Sequence, residues 1–167
     1  MPDLSPKRAA DSATEMVQVV LPNDANPLGF ILGGTVMHLI DIAGAIACHR
    51  HTRTLLVTAA VDDLQFLCPI KVGDLIILKS RVTCVFTTSL EVEVEVFSEE
   101  TLTGRRKPTS RAFLTFVAVD REGGRVQVPP LLMETDEERR ICEEAQIRRQ
   151  QRLRRKGESL KSEVSRT

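Results

Sequence analysis

Tryptophan and tyrosine are missing from this chain of 167 residues, and six phenylalanines are its whole aromatic complement. A stacking platform for single-stranded nucleic acid draws much of its contact energy from aromatic faces, so the composition speaks against one. An excess of one charge is missing too, since 23 lysines and arginines balance 23 aspartates and glutamates. No overall field draws the chain to nucleic acid or to an anionic membrane. Long apolar runs are lacking: residues 35–47 are broken by His38 and Asp41 and fall short of the roughly 18 apolar residues that cross a bilayer. The opening MPDLSPKRAADSATEM has no apolar core of the secretory kind. These absences lead to the expectation of a soluble cytoplasmic protein with neither a nucleic-acid nor a membrane partner. Cysteine is sparse, and Cys48, Cys68, Cys84 and Cys142 lack the close pairs of a zinc site or redox dithiol. Reduced thiols and no metal are expected.

What is present suits one domain, and no internal repeat is visible. Residues 1–13 are polar and aperiodic and read as a flexible lead-in. EMVQVVLP alternates as a short strand. NDANPLGFILGG, with a proline and three glycines, is a loop. A helix follows, with Thr35 as its N-cap or first-turn residue. Val36, Met37, Leu39, Ile40, Ala43, Ile46 and Ala47 cover so much of its circumference that it should be enclosed. LLVTAAVDDLQFL, LIILKSRVTCVF, SLEVEVEVFSE and RAFLTFVAVD then read as strands. In the third, Leu90, Val92, Val94 and Val96 share one face, and Glu91, Glu93 and Glu95 share the other, which should be wet or set against another subunit. DEERRICEEAQIRRQQRLRRK has acidic residues early and basic residues late, as suits a helix dipole, and should lie outside the domain or trail away. Its acidic residues dilute the nucleic-acid or membrane signal of RRQQRLRRK. The expectation is an α+β domain at 14–133, an antiparallel sheet of about five strands wrapped around one central apolar helix. A charged helix and tail follow at 134–167.

Within that apolar helix stands Asp41. A carboxylate charged in a dry interior costs several kcal/mol unless it is compensated. It therefore lies on an exposed stripe, is satisfied by His38 one turn earlier, or is kept for chemistry. The preceding loop favours chemistry. Gly33 and Gly34 at the helix start let backbone amides approach a ligand, and the partial positive charge of a helix N-terminus favours an oxyanion. Asn26, in the polar NDAN segment, adds an amide that positions water, and Asp41 adds a base.

The block PNDANPLGFILGGTVMHLIDIAGAIA resembles the N-terminal signature of hotdog-fold acyl-CoA thioesterases, in particular YciA-type bacterial enzymes and brain-type cytosolic acyl-CoA hydrolases of animals. VDDLQFLCPIKVGDLIILKSRV and TSLEVEVEV resemble the middle strands of that family. TLTGRRKPTSRAFLTFVAVD followed by VPPL resembles the closing strand and its exit. The likeness runs from about Met16 to about Arg155. It implies hydrolysis of an acyl-CoA thioester to free CoA and a carboxylic acid, with no cofactor beyond the coenzyme A of substrate and product. It further implies a homo-oligomer, at least a dimer and by resemblance a hexamer of three dimers. Asp41 stands at the family's catalytic acidic position and Asn26 at its second functional position, the two meeting from different hotdog units. Gly33 and Gly34 match the helix-entry glycines whose amides face the thioester carbonyl. Thr88 and Ser89 match a pair near the CoA pantetheine. Pro27 is a departure, because it removes a backbone donor beside Asn26.

In physical terms Asp41 is the general base on water, or else a nucleophile forming an anhydride, with Asn26 orienting water or thioester and the Gly33 and Gly34 amides holding the oxyanion. Arg105, Arg106 and Lys107 form a positive turn suited to CoA phosphates. Asp63 is a candidate for lining the site, and Phe66 reads as core. His38, His49 and His51 read as hydrogen-bonded rather than catalytic. Two alternatives stay open: a hotdog sensor that binds acyl-CoA without turnover, and a hydroxyacyl-thioester dehydratase using His38 with Asp41.

Overall fold

The computed structural model describes residues 3–164, with side-chain surroundings as far as residue 159. The chain runs through β1 (Lys7–Arg8), α1 (Ala9–Ser12), β2 (Thr14–Val19) and α2 (Gly33–Thr52), then five successive strands, β3 (Leu55–Phe66), β4 (Leu75–Val85), β5 (Ser89–Glu99), β6 (Arg106–Val119) and β7 (Leu131–Leu132), and ends in α3 (Asp136–Val164). Five strands form one antiparallel sheet in the order β2-β4-β5-β6-β3. The chain places β2 and β3 at opposite edges, and α2, which joins them in sequence, crosses one face of the sheet. This is the hotdog architecture and the α+β class that the sequence pattern and the resemblance led to expect.

Alternation builds the core. Leu90, Val92, Val94 and Val96 of β5, with Ala112, Leu114, Phe116 and Ala118 of β6, turn one face toward Val36, Leu39, Ile40, Ala43 and Ala47 of α2. Burying each large aliphatic side chain contributes about 1.5–3 kcal/mol. Close approach of helix and sheet needs Gly44, because a Cβ there would lie 3.1 Å from Val92 Cγ1 and 3.2 Å from Phe116 Cε2. Ser80 Oγ of β4 donates to the Ala43 carbonyl at 2.7 Å, fixing α2 against the strand.

Several expectations change. Helix α2 starts at Gly33, with Leu32 as N-cap, two residues before Thr35. It is buried along one side only: Met37 is 47% exposed, and Asp41, Ile42, Ala45 and Ile46 are half-buried, so one chain does not enclose it. The lead-in is not loose throughout, because β1 pairs in parallel with β7, Ala9 is buried, and buried Ser12 Oγ accepts from Val82 N–H. Phe66 is not core. It is half-exposed on edge strand β3.

The glutamate face of β5 is wet only at Glu95, which is exposed, since Glu91 and Glu93 are 2% and 3% exposed. Helix α3 does not trail away from its start: Ile141, Cys142 and Ala145 are buried. Arg148 makes two hydrogen bonds to Glu91, at 2.8 and 3.0 Å, and lies 3.7 Å over the Phe113 ring. Farther along, Arg152 reaches Asp62 of β3 at 2.6 Å. The expectation of four reduced thiols also changes, because Cys84 of β4 and Cys142 of α3 form a disulfide. The two are separated by 58 residues in sequence, and the packing of a helix on a sheet, not their spacing, brings them together.

Candidate active site

Asp41 lies on the open side of α2, facing edge strand β3. Its Oδ1 accepts from Thr58 Oγ1 at 2.7 Å. Thr58 was not singled out in the sequence, where it is one threonine in an apolar strand. Its placement comes from a bulge: pairing with β6 shifts register between Thr58 and Ala60, and such a bulge re-aims the neighbouring side chain. In the sequence, the small residues Ala59 and Ala60 follow it where the register shifts. Among the described residues no hydrogen bond joins His38 to Asp41. His49 Nδ1 is 2.9 Å from the Thr54 carbonyl, and buried His51 has Nε2 2.8 Å from that of Pro129. Burial holds the His51 imidazole below its ordinary value, and the Pro129 contact offsets this in part.

Asn26 is held in its own loop. Its Oδ1 accepts from the Leu28 and Phe30 amides at 3.0 and 3.2 Å, while its backbone N–H donates to the Phe30 carbonyl at 2.8 Å. Two N–H donors facing one amide atom identify that atom as oxygen, so Nδ2 is the end left to act as donor. Pro27 therefore does not disorganise the loop, whose turn is completed by Gly29 at φ 80°. Asn26, Phe30, Gly33, Phe66 and Cys68 line an open cleft of about 280 Å³.

The first helical bond of α2 runs from Val36 N–H to the Leu32 carbonyl at 3.1 Å, so the amides of Gly33 and Gly34 lie ahead of the helical ladder. None of the described residues lies within 4 Å of a Cβ built on Gly34, and the Phe66 ring is at ordinary contact, 3.5 Å, from one built on Gly33. Packing within the chain therefore does not demand either glycine. Along α2, eight residues separate Gly33 from Asp41, which at 1.5 Å per residue is about 12 Å. One thioester carbonyl cannot touch both ends of that span.

The remaining candidates are spread out. Thr88 and Ser89 enter β5, where their carbonyls accept from Ala118 and Phe86 amides. Arg105 pairs with Glu100 at 3.3 Å and Arg106 with Glu99, so carboxylates neutralise much of the positive turn; Lys107 is exposed. Asp63, exposed and left-handed at φ 53°, stands on a second β3 bulge outside the Asn26 cleft.

The thioesterase superfamily model matches residues 28–104. An uncharacterised acyl-CoA thioester hydrolase of Bacillus subtilis is 41% identical over 140 residues, spanning 84% of this chain and 81% of that protein. The human cytosolic acyl coenzyme A thioester hydrolase is 33% identical over 145 residues, which cover 86% of this chain but 38% of the human protein. The crystal structure of an acyl-CoA hydrolase from Bacillus cereus superposes with a TM-score of 0.88 at 34% identity, covering 96% of this chain and 98% of that one. A hexameric acyl-CoA thioesterase superposes at 0.85 with 39% identity, covering 90% and 97%. The acyl-CoA hydrolase of Staphylococcus aureus, solved with butyryl coenzyme A and coenzyme A, superposes at 0.84 with 33% identity, covering 93% and 95%. Alanine variants of that enzyme at an asparagine, an aspartate and a threonine are also solved, and those residues follow one another at intervals of 15 and 17. Asn26, Asp41 and Thr58 have the same intervals, 15 and 17. The chain belongs to the thioesterase superfamily, among its hotdog-fold acyl-CoA thioester hydrolases.

Proposed function

We propose that this chain hydrolyses acyl-CoA thioesters to free CoA and a carboxylic acid, in the cytoplasm and as a homo-oligomer built from hotdog dimers. The observation that carries the reading is Asp41, the one carboxylate of helix α2, on its open side and oriented by Thr58 Oγ1 at 2.7 Å. The Thr58 bond occupies Oδ1 and holds the carboxylate in one rotamer, leaving Oδ2 to take a proton from water as that water attacks the carbonyl carbon. The same oxygen attacking directly would give an anhydride. Thr58 is a positioning residue.

The oxyanion falls to donors about 12 Å away on the same helix, so the Gly33 and Gly34 amides of one chain serve the Asp41 of another. Asn26 Nδ2 joins them as a donor to the thioester oxygen or the attacking water. Packing within the chain does not call for glycine at either helix-start position, and a closely approaching substrate supplies a reason for it. Carboxylate, water and amide donors complete this hydrolysis without a metal or cofactor. The hexameric relative supports assembly as three dimers. The dehydratase reading loses support, because His38 makes no bond to Asp41, and a sensor has no use for the Thr58–Asp41 pair.

The test is release of free CoA thiol from short- to long-chain acyl-CoAs. Folded, assembled Asp41→Ala is expected to lose at least about a hundredfold in kcat. An equally fast variant would remove Asp41 from the chemistry.

A further inference from the structure

The geometry points to Cys142 as an S-thiolation site, and to the Cys84–Cys142 disulfide as a thiol-sensitive clasp on helix α3. The two cysteines differ in that only Cys142 lines a cleft. Cys84 is 1% exposed beneath the helix, whereas Cys142 is 6% exposed and forms part of the wall of an open cleft of about 400 Å³. Leu4, Val85, Phe86, Val128 and Met133 make the cleft apolar, while Thr87 and Gln127 supply polar groups for the amides that small biological thiols carry. The Arg149 guanidinium lies 4.6 Å over the ring of Phe86, a residue of the cleft wall. Its positive charge favours an arriving thiolate.

In the first exchange a small thiolate attacks Cys142 Sγ. The bond from the incoming sulfur to Cys142 forms, the Cys84–Cys142 bond breaks, and Cys84 leaves as a thiolate that takes a proton from water. A second thiolate attacks the outer sulfur of the mixed disulfide, releasing Cys142 and one molecule of the thiol's own disulfide. Two thiols are oxidised and the protein disulfide is reduced. Glutathione and the coenzyme A freed by thioester hydrolysis share this chemistry. Disulfides of cytosolic proteins, where present, are usually transient or redox-sensing.

The clasp has a mechanical consequence. Cys142 holds α3 to β4, Arg148 holds it to Glu91 of β5, and Arg152 holds it to Asp62 at the β3 bulge. Opening the first attachment frees the start of a strap whose far end contacts the strand that carries Thr58 and Phe66.

The experiment uses the full chain with Cys68→Ser, which removes the exposed free thiol. Cys48 needs no change, since burial pushes its thiol far above the ordinary range. The protein is treated under native conditions with glutathione, or in a second arm with coenzyme A, then alkylated, digested and weighed. Expected is a mixed disulfide on Cys142 in at least about tenfold excess over Cys84. Equal labelling, labelling at Cys84, or opening only in denaturant overturns the site. An adduct in one arm alone identifies the thiol that the cleft admits. In the reduced protein, amide exchange in residues 136–150 should rise by at least about tenfold while β5 and β6 hold; unchanged exchange overturns the clasp. Treating Cys84→Ser and Cys142→Ser, each combined with Cys68→Ser, with oxidised glutathione gives an independent check: only the Cys84→Ser protein should form an adduct, and an adduct on the Cys142→Ser protein overturns the assignment.

Discussion

Asp41 and His51 show how differently one helix treats two ionisable residues. Asp41 projects from its open side toward Thr58 Oγ1, whereas His51, near its end, is fully enclosed with Nε2 against the Pro129 carbonyl and Nδ1 without a partner among the described residues. Burial disfavours the charged imidazolium, so the folded-state pKa lies below the ordinary 6.5. As pH falls through that ordinary value, the unfolded chain takes up a proton that the folded chain does not, and stability declines; above it the effect is absent. The slope from this residue is at most about 1.4 kcal/mol per pH unit. Melting temperature is therefore expected to fall more steeply between pH 7 and 5 in the native protein than in His51→Gln, whose amide can still donate to Pro129. Identical slopes would show that His51 does not carry the acid sensitivity. The aspartate was legible in the sequence because a carboxylate in an apolar helix is anomalous. Thr58 was not, because a threonine in a strand is ordinary until a bulge turns it.

At the scale of elements, the glutamate face of β5 is the instructive case. Strict alternation showed which residues share a face, but not what covers it. Helix α3 covers part of it and brings Arg148 over Glu91, with Thr83 Oγ1 donating to the same carboxylate at 2.9 Å. Glu93 is enclosed by Arg81 and Arg111. Removing one partner of a buried pair leaves the other charge uncompensated, so Arg148→Ala is expected to lower stability by roughly 3–5 kcal/mol. Urea unfolding measures this, and a double variant with Glu91→Gln and Arg148→Met should recover much of the loss. A loss below about 1 kcal/mol, typical of a surface pair, would mean that α3 is held by Cys142 and its apolar neighbours instead.

For the whole molecule, the open side of α2 and the apolar edge strand β3, with Leu55, Val57, Val61 and Phe66 about half exposed, leave one chain incomplete. The proposed site has a second copy cover both and bring its own Asn26 and Gly33 to Asp41. Neither Asp41→Ala nor Asn26→Ala alone should be active, yet their random mixture, unfolded and reassembled together, should regain about a quarter of native activity. In a two-fold dimer half the pairs are mixed, and each mixed pair holds one intact site of two. No recovery, with heterodimers verified by native mass spectrometry, would place both residues in one site of one chain.

The sequence by itself determined the five strands of the main sheet, the existence of helix α2 and the candidates Asn26 and Asp41, because side-chain alternation, turn residues and a misplaced charge are local properties; its resemblance to known thioesterases pointed to the family. Tertiary structure alone decided the Thr58 partner of Asp41, the disulfide, the cover over Glu91 and the half-open helix. Each of these depends on a meeting of segments far apart in sequence, governed by strand order, bulges and helix docking, and no local pattern encodes such a meeting.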